Sequence, residues 1–111
     1  MGDLRTKVFF KFKGRCAYCG EYIALQDFNV DHLIPKQKGG SNDIDNLMPS
    51  CRSCNSWKAA WTLEEFRDVI ERQQKTLTKN SAGYRLLVRY KMVRELGDPV
   101  EFFFESDVKR G

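Results

Sequence analysis

The chain has 111 residues, a mass of 13.0 kDa and 41% hydrophobic residues, enough for one small domain with a modest core and too little to expect a second. Lys and Arg outnumber Asp and Glu by 19 to 15, giving a formal charge of +4 and a pI near 8.9, which suits an anionic partner such as nucleic acid without proving one. No apolar stretch near Met1 is long enough for export or membrane insertion, so the expectation is an intracellular protein with no membrane partner, whose four cysteines are reduced and metal-bound.

Asp3 is placed to cap a helix with Leu4, Val8 and Phe12 on one face, and Gly14 sits where such a helix stops. Lys7, Lys11, Lys13 and Arg15 then ring its outer side, while Phe9 and Phe10 read as core.

Cys16-Ala17-Tyr18-Cys19-Gly20 is a zinc knuckle, in which two thiolates three apart chelate one ion across a tight turn that Gly20 permits. Cys51-Arg52-Ser53-Cys54 repeats the spacing. One C-x-x-C is weak evidence because redox dithiols share it, but two with no thioredoxin-like pattern around them are strong. Cys16, Cys19, Cys51 and Cys54 are therefore expected to hold a structural zinc ion, four thiolates leaving no open position for water.

Between Cys19 and Cys51 stand 31 residues, more than an ordinary zinc ribbon has. They read as two short strands, Asn29 to Leu33 and Leu47 to Met48, around a loop marked by Pro35, Gly39-Gly40, Ser41 and Asn42. A helix follows from the second knuckle through Asn55 and Lys58 toward Ala60, so the insert and knuckle form a β, β, α unit. Thr62 and Glu65 then open a helix carrying Leu63, Phe66, Val69, Ile70 and Leu77 on one side. Tyr84 to Leu96 fits helix or strand, and its length with the Gly97-Asp98-Pro99 stop favours helix. Val100 to Glu105, with three consecutive phenylalanines, predicts a strand, and Ser106 to Gly111 a frayed end.

The string D-H-L-I-P, then G-G, then N-L, then C-x-x-C-N-x-x-K, resembles the zinc-knuckle branch of the HNH endonucleases over Cys16 to Lys58. The resemblance implies an α+β fold with a ββα-metal core, flanked here by helices and a C-terminal strand, in a single domain with its motif core at residues 16–58 and an extension at 62–105. Its three named positions fall on His32, Asn46 and Asn55. The last carries asparagine where the parent pattern has histidine, as in the HNN variants. By resemblance, Asn46 ties the loop back and orients the His32 ring, and Asp31 and Asn55 hold a catalytic cation.

The chemistry of the residues supports those roles. Cleaving a phosphodiester needs a base for water and a cation for the developing charge. His32 is the only histidine in the chain, and histidine, with an unperturbed pKa of about 6.5, is the side chain suited to that task at neutral pH. Asp31 offers a carboxylate oxygen and Asn55 an amide oxygen, hard donors that suit Mg²⁺ or Mn²⁺. Neighbours on a regular strand face opposite ways, so Asp31 and His32 can share a site only where the strand ends or twists. Lys36, Lys38, Arg52 and Lys58 are candidate contacts to flanking DNA phosphates.

The expectation is a metal-dependent DNA endonuclease; the alternative is a non-catalytic zinc-knuckle module that only binds nucleic acid. No separate target-reading segment is visible, which favours weak specificity or a protein partner that supplies it.

Overall fold

The computed structural model describes residues 3–95 and 99–106. The chain divides into two compact units, residues 1–63 with 101–111, and residues 64–100. The first contains the whole 16–58 core expected from the motif.

In the first unit, α1 (Leu4–Phe10) is capped by Asp3, whose carboxylate accepts from Thr6 N at 2.7 Å. It ends at Phe10, before Phe12, because Lys13 and Gly14 turn left-handed with φ of 57° and 78° and Gly14 N closes the end on Phe9 O at 3.2 Å. Val8 is buried with Phe28 and Leu47, and Phe9, Ile23 and Val30 pack around them. Phe10 points outward at 60% exposure, so of the two phenylalanines expected in the core only Phe9 joins it. Lys11 also departs from the expected solvated face. Its ammonium lies 2.6 Å from both Ile44 O and Leu47 O, and burial lowers its pKa.

The two strands are β1 (Asn29–His32) and β2 (Leu47–Ser50), antiparallel with Asn29 opposite Ser50 and His32 opposite Leu47. All four residues of β2 are buried, because α1 lies against this strand and the first knuckle joins it from the side, Ala17 N donating to Pro49 O at 2.8 Å. Pro49 lacks an N–H, so it suits a strand with an open edge. Next, α2 (Arg52–Lys58) packs on β1, completing the expected β, β, α order.

The loop joining the strands contains two 3-10 turns, Lys36–Lys38 and Ile44–Asn46. Buried Asn46 closes it: its Oδ1 accepts from Ile34 N at 2.9 Å, and its Nδ2 donates to Ile34 O at 3.1 Å and Ser41 O at 2.9 Å. Gly40 has to be glycine, since a Cβ there would sit 1.6 Å from Ile34 O and 2.9 Å from Asn46 Nδ2.

The C-terminal strand expected over Val100 to Glu105 does not form. Phe103–Glu105 is a 3-10 turn, closed by Glu105, whose carboxylate accepts from Phe102 N at 2.9 Å. The segment pairs with the first knuckle instead of the sheet: Phe103 N donates to Tyr18 O at 2.9 Å and Phe104 N to Ala17 O at 2.8 Å. Phe102 and Phe104 thereby stack at 6.4 Å and each meets the Tyr18 ring edge-on, at 5.7 and 6.2 Å.

The second unit holds most of α3 (Leu63–Asn80) and α4 (Ala82–Arg89). Ser81 caps α4 by accepting from Tyr84 N at 3.1 Å, and Glu71 takes Val100 N at 2.8 Å. The helix expected over Tyr84 to Leu96 thus forms only to Arg89, and Leu96, Gly97 and Asp98 lie outside the described residues, as does the end from residue 107 onward. No described helix is long and apolar enough to cross a membrane.

Gly40→Ala should cost about 2 kcal/mol or more, because backbone atoms with no room to move must shift. A thermal melt matching wild type would mean that the loop does not close over Ile34 in this way.

Candidate active site and metal centre

The sulfurs of Cys16, Cys19, Cys51 and Cys54 lie within 4.8 Å of one another. Local folding brings each pair to the centre. The first knuckle turns through Gly20, at φ 81°, with Gly20 N on Cys16 O at 3.0 Å. Cys51 caps α2, its sulfur accepting from Cys54 N at 3.3 Å. Thiolates about 2.3 Å from a tetrahedral zinc are about 3.8 Å apart, and Cys19 and Cys51 stand at 3.8 Å. Without a cation the thiols compete for charge: hydrogen bonding from Cys54 holds Cys16 down at about 4, while burial pushes Cys19 up to about 12. A dication ionises all four together. The cluster is positioned to hold a metal ion, and a set of four thiolates fits structural zinc.

Asp31 and His32 line one cleft, of about 370 Å³, together with Pro35, Lys36 and residues 59–60. β1 ends at His32, so the alternation of a continuing strand need not separate these two neighbours. The His32 Nε2 lies 2.8 Å from Asn42 Oδ1. An amide oxygen only accepts, so this pairing uses Nε2 as the donor and leaves Nδ1 free.

The ring's partner is thus Asn42, where Asn46 was expected. Asn46 does tie the loop back, and through Ser41 O it holds the residue next to Asn42. Asn42 was legible in the sequence only as a loop asparagine.

Asp31 is 7% exposed; its Oδ2 accepts from Tyr18 OH at 2.5 Å and forms an ion pair with Lys58 Nζ at 3.0 Å. Burial and the adjacent carboxylate push the Tyr18 phenol well above its ordinary range, so it remains a donor. Lys58 also donates to His32 O at 3.0 Å.

Lys58 was expected at the surface against a phosphate, and this needs correction, since it is fully buried and its ammonium is directed at Asp31 and His32. The sequence carried a signal for this: Lys58 follows Cys54 by four residues, so on a helix it shares the face directed at the metal core. Tyr18 offered no comparable signal.

Lys36 and Lys38 are exposed beside the cleft, Lys38 with its ammonium 5.7 Å from the half-exposed Trp61 ring. Arg52 is 87% exposed and loosely paired with Asp27 at 3.8 Å. Asn55 is partly buried on α2 and is not among the residues lining the cleft.

The sequence pattern of the HNH endonuclease family matches residues 16–60. The chain carries an HNH endonuclease-family domain. Over 87 residues, 68% of the chain, it is 34% identical to an SPbeta prophage-derived protein of Bacillus subtilis (strain 168), YoqL, named for an HNH endonuclease. Over 45 residues it is 38% identical to the CRISPR-associated endonuclease Cas9 of Corynebacterium diphtheriae. The Cas9 of Actinomyces naeslundii is similar in structure over 59% of the chain, with a TM-score of 0.53 and 26% identity. The chain spans 34% of the Bacillus relative and only 4% and 8% of the two Cas9 proteins, whose remainder has no counterpart in the match. The family supports a nuclease function in the broad sense.

A structural zinc ion contributes about 10–16 kcal/mol, against a typical total stability of about 5–15 kcal/mol. Removing the metal with a strong chelator, or Cys51→Ser, should unfold the 16–54 core; a native circular dichroism spectrum with unchanged melting after either would rule out the structural role.

Proposed function

We propose that this domain is a metal-dependent DNA endonuclease with structural zinc on Cys16, Cys19, Cys51 and Cys54. The observation that carries the reading is the shared cleft of Asp31 and His32, with the histidine Nε2 paired to Asn42, which leaves Nδ1 free.

In this reading His32 Nδ1 takes the proton from the attacking water. Asp31 contributes its carboxylate to a catalytic Mg²⁺ or Mn²⁺, a cation that is typically held by one or two carboxylates plus substrate phosphate oxygens. The residues present fit such an ion: among the described residues, Asp31 Oδ1 has no hydrogen-bond partner, and its side chain lines the cleft. Asn55, on α2 and outside the cleft lining, is the second oxygen donor that the family pattern suggests. When bound, the cation stabilises charge on the phosphorane and the leaving oxygen.

Asn46 and Gly40 keep the loop closed, and Asn42 keeps the ring oriented. Lys36, Lys38 and Arg52 contact flanking phosphates, which gives affinity and salt dependence without sequence information. Sequence preference then comes from a partner protein or is weak. The setting is intracellular, where thiols stay reduced.

Plasmid nicking with Mg²⁺, with and without EDTA, is the direct test; intact zinc-loaded protein that never nicks under either Mg²⁺ or Mn²⁺ leaves the binding-module alternative. His32→Ala should lower nicking by about 10²–10⁴ and leave DNA binding in a gel shift unchanged.

Asn42→Ala should keep the fold and lose up to about 10²-fold in rate through ring misplacement. A rate equal to wild type would assign ring orientation elsewhere. Asn55→Ala should also lose nicking with folding intact, while Asn55→His should retain it and widen metal use toward Ni²⁺ and Co²⁺; an Asn55→Ala protein as fast as wild type at limiting Mg²⁺ removes Asn55 from the cation.

A further inference from the structure

The cleft is not an anionic site. Among the described residues its lining, residues 30–32, 35–37 and 59–60, holds a single carboxylate, Asp31, and one ammonium, Lys36. Asp31 is itself neutralised from within, because the fully buried Lys58 ammonium lies 3.0 Å from its Oδ2. That ammonium cannot swing out to solvent without giving up a second bond, to His32 O at 3.0 Å. Tyr18 OH, at 2.5 Å, is a further donor on the same oxygen. The amide of Asn55 adds no charge. The affinity of an oxygen site for a divalent cation rises with its negative charge, and here the count of Asp31, Lys58 and Lys36 sums to about plus one.

We propose that Lys58 makes cation binding depend on the substrate: by cancelling the charge of Asp31 it keeps the free cleft from retaining Mg²⁺ or Mn²⁺, and the phosphate oxygens of DNA supply the missing negative charge. Metal and nucleic acid then bind interdependently, each raising the affinity of the other by the same factor. Lys58 acts in this as a positioning residue, tethering Oδ2 and leaving Oδ1 for the cation. The inference rests on the endonuclease reading, in which Asp31 is the cation ligand.

The experiment is a titration of the zinc-loaded full chain with Mn²⁺, read from the electron paramagnetic resonance signal of free Mn²⁺. Wild type without DNA should bind no more tightly than about 0.1–1 mM. Lys58→Met should bind about tenfold more tightly or better, since a charge a few ångströms from a dication changes its affinity by that much even in water. Adding Asp31→Asn to that variant should abolish the gain. A purely structural role for Lys58 predicts the opposite sign, a loss of affinity in Lys58→Met as the site loosens.

Should Lys58→Met not fold, wild type alone decides. Fluorescence anisotropy of a labelled phosphorothioate duplex should show tighter DNA binding as Mn²⁺ is added, against a Ca²⁺-free and Mn²⁺-free control. A free chain that binds Mn²⁺ more tightly than about 10 μM, or DNA binding indifferent to Mn²⁺, overturns the inference. If wild type nicks DNA and either result is found, the inference alone fails; if wild type never nicks, the endonuclease reading fails and takes the inference with it.

Discussion

Two turns separated by 31 residues meet sulfur to sulfur, and the rest of the first unit follows from that closure. Holding Cys16 and Cys19 against Cys51 and Cys54 sets the start of α2 beside the first knuckle and forces the intervening segment to leave and return as an antiparallel pair. The cluster of Val8, Phe28, Leu47 and their neighbours is small, as expected of a domain of this size. A metal ion held by the four cysteines would add anchoring to that apolar burial. The same closure sets Tyr18, in the turn between Cys16 and Cys19, with its hydroxyl 2.5 Å from Asp31, so the cysteine cluster and the candidate catalytic carboxylate are linked through the first knuckle.

The pairing of Asp31 with Lys58 is costly to build and costly to break. Two charges taken from water lose hydration that their attraction only partly returns, and removing one partner of such a pair typically destabilises by about 3–5 kcal/mol. The surrounding hydrogen bonds reduce that cost. Lys58 gains His32 O, Asp31 gains Tyr18 OH, and the Tyr18 ring lies 5.9 Å from the ammonium. Phe102 and Phe104 meet the same ring edge-on, which gives the C-terminal phenylalanines a reason to pair with the knuckle.

Most of this architecture was legible in the sequence because it rests on short-range rules. Cysteine spacing gave the cluster, turn residues gave the loop, and the capping Asp3 gave α1. What was not legible depended on which side of an element faces inward. Lys58 read as a surface cation because lysine is so seldom fully buried, although its four-residue spacing from Cys54 already put it on the inner face. The phenylalanine run read as a strand by composition, yet the chain there is short and its N–H groups found the knuckle carbonyls first. Asn42 and Asn46 differ only in context. One side chain is buried and bonds backbone, the other is exposed and bonds a ring, and no local pattern separates those fates.

The geometry at the end of β1 explains how consecutive residues serve one cleft. In a continuing strand, an inward Asp31 would send His32 to the far face. Among the described residues the sheet has two strands, and β1 stops at His32, with Leu33 N bonded to Asn46 O at 2.8 Å. Another part of the cleft lining is formed where α2 stops, at Ala59, whose φ of 44° and ψ of −125° lie in a region that L-residues rarely adopt. A regular continuation of α2 would carry residues 59 and 60 along the helix; the break instead makes them part of the cleft lining. Both parts are thus element ends, and both ends are tied to Lys58, through its backbone carbonyl, which accepts from Trp61 N at 2.8 Å, and through its ammonium on His32 O at 3.0 Å. A residue that read as one more phosphate contact is the piece that joins the two ends into a site.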